Sequence, residues 1–207
     1  MEKAFWQERW RNGEIGFHQA EVNPHLIRYG SELNLDAGEQ VFVPLCGKSL
    51  DMLWLLQQGY SVSGIELDRT ACDGFFRENN LSVSVSECSR FQHFRHQNLE
   101  LLCGDVFDLT PDDLTDVRAV YDRAALVAFP PEMRRRYAEL LLHCLPRGVK
   151  VLLVTLQRPS AGGPPFTVTD QEVSNLFGER FELQCLAEAD AWDRPEWREA
   201  VWLLTDR

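Results

Sequence analysis

Val41-Phe42-Val43-Pro44-Leu45-Cys46-Gly47-Lys48-Ser49 is an apolar run that stops at a tight turn containing one glycine. A second apolar run, 61–66, ends on an acid, Glu66, 21 positions beyond Leu45. In doubly wound α/β folds the turn after the first strand receives the charged part of a nucleoside cofactor, and the acid closing the second strand accepts hydrogen bonds from ribose hydroxyls.

Outward from it, apolar runs bounded by turn residues alternate with stretches of helical period. That is the pattern of a largely parallel sheet with helices on both faces. Strands are expected over 40–45, 61–66, 99–103, 119–121 and 150–156, and helices over 49–58, 69–79 and 131–145. Gly38, Gly59, Gly104 and Gly148 punctuate the boundaries. Beyond Leu156, the stretch 158–165 (Arg-Pro-Ser-Ala-Gly-Gly-Pro-Pro) is a loop, and Thr169 with Glu172 three residues on forms a capping box that opens a short helix to Gly178. Two last runs, 181–186 and 200–205, are joined by a short connection containing Pro195, which favours an antiparallel pair closing the sheet.

The turn itself discriminates between cofactors. Gly47-Lys48-Ser49 looks like the end of a P-loop, but that motif needs glycine at position 42, where Phe42 stands inside a strand. A dinucleotide fingerprint needs several glycines for backbone approach to a pyrophosphate, whereas Gly47 is alone between Gly38 and Gly59. S-adenosyl-L-methionine, an amino acid, a sulfonium and an adenosine with no pyrophosphate, fits a one-glycine turn and a ribose-binding acid.

A chain of 207 residues is expected to form one domain, 1–207, with a substantial core. A formal charge of −11 repels phosphate backbones and anionic lipid, so neither nucleic acid nor a membrane is expected as a partner. No secretory signal is readable and no apolar run approaches the ~20 residues that span a bilayer, which points to the cytoplasm. The six cysteines show no C-x-x-C pair and no paired histidine spacing; they read as reduced, mostly buried thiols, with no metal site. Nothing in the chain signals an oligomer, and a monomer is expected.

At the N-terminus Phe5, Trp6 and Trp10 recur at helical spacing, followed by Gly13, Gly16, Phe17 and His18 in a turn. Two readings stay open: an apolar face docking a short helix on the core, or a lid, residues 1–25, whose aromatics cover a ligand and attract a cationic sulfonium.

Together, Trp6-x-x-x-Trp10, Gly16-Phe17-His18, Phe42 to Lys48, Gly64-Ile65-Glu66, Tyr121-Asp122-Arg123-Ala124-Ala125-Leu126-Val127 and Gly163-Pro164-Pro165-Phe166 resemble the thiopurine S-methyltransferase family, bacterial type, from about Trp6 to the C-terminus. The resemblance implies a Rossmann-like class I methyltransferase fold: a mostly parallel seven-stranded sheet with one antiparallel strand. It implies S-adenosyl-L-methionine as cofactor, with Trp10, Leu45, Glu66 and Arg123 in contact with it. Asp105 stands after the third strand, where methyltransferases of this fold often hold the adenine amino group. Arg123 closes the fourth strand, toward the crevice where open parallel sheets bind ligands; the dipeptide Asp122-Arg123 alone reads as a surface ion pair.

Phe17, Phe166 and Trp192 are candidates for the substrate pocket, with the Gly-Pro-Pro loop as a wall and Arg123 beside an anionic substrate. A late arginine is also expected near the substrate, and Arg194 and Arg198 are equal candidates. The implied reaction is displacement at the methyl carbon by a soft thiolate, which needs alignment rather than a general base; His18 is a turn histidine or a proton acceptor. The implied acceptors are thiopurines and other aromatic or heterocyclic thiols. The bacterial branch also implies selenium or tellurium species and hence selenium chemistry and tellurite resistance. The alternative is a non-catalytic S-adenosyl-methionine-binding sensor or scaffold of the same fold.

Overall fold

Along the central strands every second side chain enters a different apolar layer, as the two-residue period of a strand requires. Val41, Val43, Val62, Leu101, Tyr121 and Leu152 pack with Leu26, Met52, Leu55 and Phe75 on one face. Phe42, Ile65, Leu102, Val120, Val151 and Leu153 pack with Tyr137, Leu141, Val173 and Phe177 on the other. A sheet covered on both faces explains why these strands read as continuous apolar runs.

The structure is a computed structural model that describes residues 3–159, 162–191 and 194–207. Helices α1 (Lys3–Asn12) and α2 (Pro24–Tyr29) precede β1 (Gln40–Pro44). There follow α3 (Asp51–Gln57), β2 (Ser61–Glu66), α4 (Arg69–Glu78), β3 (Ser84–Glu87), β4 (Gln92–His96), β5 (Leu99–Cys103) and β6 (Val117–Arg123). Then come α5 (Pro131–Cys144), β7 (Lys150–Gln157), α6 (Asp170–Phe177), β8 (Phe181–Ala191) and β9 (Arg194–Asp206). The sheet order is β3-β4-β5-β2-β1-β6-β7-β9-β8. Strands β5, β2, β1, β6 and β7 run parallel, and β9 is reversed between β7 and β8. Those seven are the expected set with its one reversed strand.

The sheet has nine strands rather than seven, because the hairpin of β3 and β4 extends it beyond β5 and adds a second reversed strand, β4. The hairpin was not legible as an apolar run: all of β3 is exposed, and only Phe94 of β4 is buried. Strands β8 and β9 are also far longer than their apolar cores, so Pro195 lies within β9 and not in a connection. Trp192 falls outside the described residues.

Local chemistry sets the helix starts. Asn23 caps α2 by accepting the His25 N–H at 2.9 Å, and Asp68 caps α4 by accepting the Thr70 N–H at 2.7 Å. Thr169 accepts the Glu172 N–H at 3.2 Å as expected, but the Glu172 carboxylate does not complete the box. It pairs instead with the buried Arg134 at 2.5 Å. Asp51 ties the N-terminal region to the sheet, accepting the Asn23 N–H at 2.7 Å and the Tyr121 O–H at 3.0 Å.

Cys46, Cys72 and Cys144 are buried and Cys103 is half-buried, whereas Cys88, in the turn after β3, and Cys185, in β8, are exposed and correct the expectation of mostly buried thiols. No helix among the described residues is long and apolar enough to cross a membrane.

Candidate active site

The carboxyl ends of β1, β2, β5, β6 and β7 open into one cavity of about 460 Å³, roofed by α1 and the turn at 16–19. It lies where the chain order reverses, with β2 on one side of β1 and β6 on the other, the switch point at which open parallel sheets bind ligands.

The β1 turn is unusual in its backbone. Leu45 and Gly47 have φ of 48° and 51°, in the left-handed region. For leucine this costs on the order of 1–2 kcal/mol, strain of the kind that collects at ligand sites. The turn is held by the Cys46 N–H on the Ile65 carbonyl and the Ser49 N–H on the Cys46 carbonyl, both at 3.0 Å. Gly47 is required twice over, because a Cβ there would also stand 3.2 Å from Trp10 Cζ2.

Glu66 ends β2 as a buried residue, 6% exposed. Its Oε2 accepts the Gly47 N–H at 3.0 Å and its Oε1 the Asp68 N–H at 2.8 Å. Burial pushes its pKa up to about 7, although both backbone donors pull it down. Each oxygen retains acceptor capacity for a further donor.

Trp10 is buried in the roof, with Phe17 edge-on to it at 5.4 Å and to Trp6 at 5.7 Å. Asp105 lines the cavity beyond β5; its Oδ1 accepts the Phe107 N–H at 3.0 Å, and its Oδ2 meets Lys3 Nζ of α1 at 2.8 Å. That hydrogen-bonded ion pair raises the Lys3 pKa and fastens the roof to the sheet.

Arg123 faces the cavity and donates from Nη1 to the Phe17 carbonyl at 3.4 Å. Its neighbour Asp122 points the other way and is no surface ion pair. It is 1% exposed and accepts the Tyr137 O–H at 2.7 Å and the Leu126 N–H at 3.1 Å, which fixes the turn after β6. Burial raises the Asp122 pKa to about 6, against these hydrogen bonds.

The far end of the cavity is formed by Pro164, Pro165, Arg158, Arg194, Trp197 and Glu199. Guanidinium groups lie over the Trp197 ring from Arg194 at 4.4 Å and from Arg158 at 5.1 Å. Arg194 is thus the late arginine at the cavity, whereas Arg198 is 61% exposed and lies 3.6 Å from Glu188. Phe166 is a correction. It does not line the cavity; its N–H donates to the Val127 carbonyl at 2.7 Å and its ring lies against Gly163, so the two prolines form the wall instead. His18 does line the cavity, and its pKa is lowered first by burial and then by Lys48 and Arg123, against Glu78.

The charges divide unequally. Each acid on the cavity wall has a protein partner: Glu14 with Arg9 at 3.4 Å, Asp105 with Lys3 at 2.8 Å, Glu199 with His25 at 3.0 Å, and Asp51 and Glu66 with the donors above. Lys48 pairs with Glu78 at 2.7 Å. Among the described residues no carboxylate lies within ion-pair distance of Arg123, Arg158 or Arg194. Of these the sequence pointed to Arg123 and, as one of two, to Arg194; Arg158, Trp197 and Glu199 carried no motif signal.

Residues 1–205 match the family model described as Thiopurine S-methyltransferase (TPMT). A protein of Nitrosospira multiformis named thiopurine S-methyltransferase is 50% identical over 192 residues, 92% of this chain and 87% of the relative. One of Pseudomonas putida with the same name is 52% identical over 179 residues, 86% and 83% of the two chains. Among solved structures, a Burkholderia thailandensis 1,6-didemethyltoxoflavin-N1-methyltransferase, with 1,6-didemethyltoxoflavin and S-adenosylhomocysteine bound to it, superposes with a TM-score of 0.70 at 12% identity. The alignment covers 99% of this chain and 86% of that one, a likeness of fold.

Proposed function

Because the chain belongs to the thiopurine S-methyltransferase family, we propose that it transfers a methyl group from S-adenosyl-L-methionine to the sulfur of thiopurines and other aromatic or heterocyclic thiols. The observation that carries this reading is the buried Glu66 carboxylate facing the strained Leu45–Gly47 turn under Trp10. A buried acid with free acceptor capacity, a glycine that admits an indole, and an aromatic roof fit an adenosyl sulfonium compound and leave no room for a pyrophosphate loop.

In this reading Glu66 accepts the ribose hydroxyls, Leu45 supplies backbone groups and an apolar wall, and Asp105 accepts the adenine amino group. The Asp105 contact competes with Lys3, so cofactor binding and the position of α1 are coupled. Residues 1–25 act as a lid: Trp10 and Phe17 cover the reaction centre and exclude water. When bound, the cofactor supplies a methyl carbon activated by a sulfonium. Arg123, tethered to the lid through the Phe17 carbonyl, holds the acceptor in line. Pro164 and Pro165 flank the acceptor ring. An aromatic thiol is partly ionised near neutral pH, so alignment at ~3–3.5 Å is the main contribution of the protein.

The same displacement extends to soft selenium and tellurium nucleophiles. The purified enzyme is to be incubated with S-adenosyl-L-methionine and 6-mercaptopurine, then with hydrogen selenide, and products read by mass spectrometry. Methylthiopurine with equimolar S-adenosyl-L-homocysteine is expected, and methylselenol in the second arm. Cofactor binding without methylation of any thiol would establish the non-catalytic sensor instead.

A further inference from the structure

Arg158 sits at the end of β7, outside the roles the family motifs assign, with its side chain on the cavity wall. Its backbone is fixed: the N–H donates to Thr167 Oγ1 at 3.1 Å and the carbonyl accepts from the same hydroxyl at 3.0 Å. Its guanidinium lies over Trp197, as does that of Arg194. Nε of Arg158 is shielded from water and donates to nothing among the described residues. Contact with a ligand in the cavity therefore falls to the two Nη groups of Arg158.

A guanidinium held over an indole and lacking a carboxylate partner presents a planar fork of donors, which matches a planar two-oxygen anion. The only acid at this end of the cavity, among the described residues, is Glu199, and His25 already holds it at 3.0 Å. A neutral acceptor such as an unsubstituted arenethiol gives Arg158 nothing to bind. We propose that Arg158 is a specificity-determining residue: with Arg194 it forms an anion subsite that selects arenethiols carrying a ring carboxylate, the thiolate pointing back toward Glu66 and the carboxylate seated on the two guanidiniums. The proposal rests on the methyl-transfer reading for the identity of the reacting group, while the anion subsite stands on its own geometry. In the step itself the thiolate sulfur bonds to the methyl carbon, the carbon–sulfonium bond breaks with its electron pair leaving on the departing thioether, and the thiol proton passes to solvent.

The test compares thiophenol with 3-mercaptobenzoate as acceptors for the wild type, Arg158→Gln and Arg158→Lys, and measures benzoate binding to each by calorimetry in the presence of S-adenosyl-L-homocysteine. Loss of a charge-assisted bidentate contact is worth roughly tenfold or more. Arg158→Gln is therefore expected to lower kcat/KM for 3-mercaptobenzoate by about tenfold or more and to leave thiophenol within about twofold. Arg158→Lys, which keeps the charge without the fork, should fall between them and guards against a folding artefact. Benzoate affinity should weaken in parallel. Equal losses on both thiols, or benzoate binding that is absent or indifferent to Arg158, would overturn the subsite. Benzoate binding that depends on Arg158 without turnover of either thiol would uphold the subsite and reject the transferase reading.

Discussion

The buried carboxylate of Glu66 titrates at about 7, against an ordinary value of 4.5, so the ligand-free protein holds an acid that prefers its proton. Between those two values the folded state binds more protons than the unfolded chain, so stability falls as pH rises from about 4.5 and levels off above about 7. The displacement corresponds to ~3 kcal/mol. Urea denaturation of the wild type and Glu66→Gln across this range should show the difference moving in favour of the variant by roughly that amount; a difference independent of pH would remove the electrostatic account. Ribose hydroxyls donate to the ionised form, so affinity for S-adenosyl-L-homocysteine should rise through pH 7 in the wild type and stay flat in Glu66→Gln, as calorimetry can read. Asp122 is a structural counterpart. Tyr137→Phe removes the 2.7 Å donor that favours its charged form and should cost about 1–3 kcal/mol. The loss should be larger at pH 8 than at pH 5, where the carboxyl is protonated, because burial sets its pKa near 6.

At the scale of the element, the turn after β1 joins a backbone requirement to a lid contact, since Gly47 carries both the positive φ and the Trp10 ring. Gly47→Ala is expected to cost about 1–2 kcal/mol through its backbone. It should also lift α1, so limited proteolysis should cut the N-terminal segment faster than in the wild type. Proteolysis at an unchanged rate would separate the roof from the turn. This turn was legible because apolar burial on both sheet faces writes an unbroken run that only a functional turn interrupts; the same holds for β2 and β5, whose ends are as expected. The hairpin of β3 and β4 was not legible, since exposed edge strands leave no apolar period. The choice between Arg194 and Arg198 failed for a related reason. A spacing of four places both on one face of a regular strand, but the pairing with β8 shifts register between Asp190 and Ala191. Only Arg194 reaches the cavity. Phe166 shows the limit of a motif: its place in the loop is right, yet a backbone bond to Val127 sets its ring against Gly163. Arg158 had no signal because its meaning depends on Trp197, 39 positions away in sequence and adjacent only across the sheet.

For the whole molecule, a net charge of −11 coexists with a cavity on whose wall three arginines, Arg123, Arg158 and Arg194, lack carboxylate partners among the described residues. Global repulsion and local attraction are thus arranged on one chain, and it is the local term that a bound anion meets at close range. Ligand binding should also redistribute stability, because the cavity joins α1, which touches the rest of the fold little, to the β1 turn and the ends of β2, β5 and β6. S-adenosyl-L-homocysteine at about 100 times its Kd contributes ~2.7 kcal/mol to any state that binds it. For a chain of this size that raises the melting temperature by roughly 5–10 °C. The gain in hydrogen-exchange protection should concentrate in α1, in the turn at 45–49 and around Asp105. The β3–β4 edge lies beyond β5 and contributes nothing to the cavity wall, so its exchange should be unchanged. A melting shift with protection spread evenly over the sheet, or confined to the peripheral hairpin, would place the cofactor somewhere other than under Trp10.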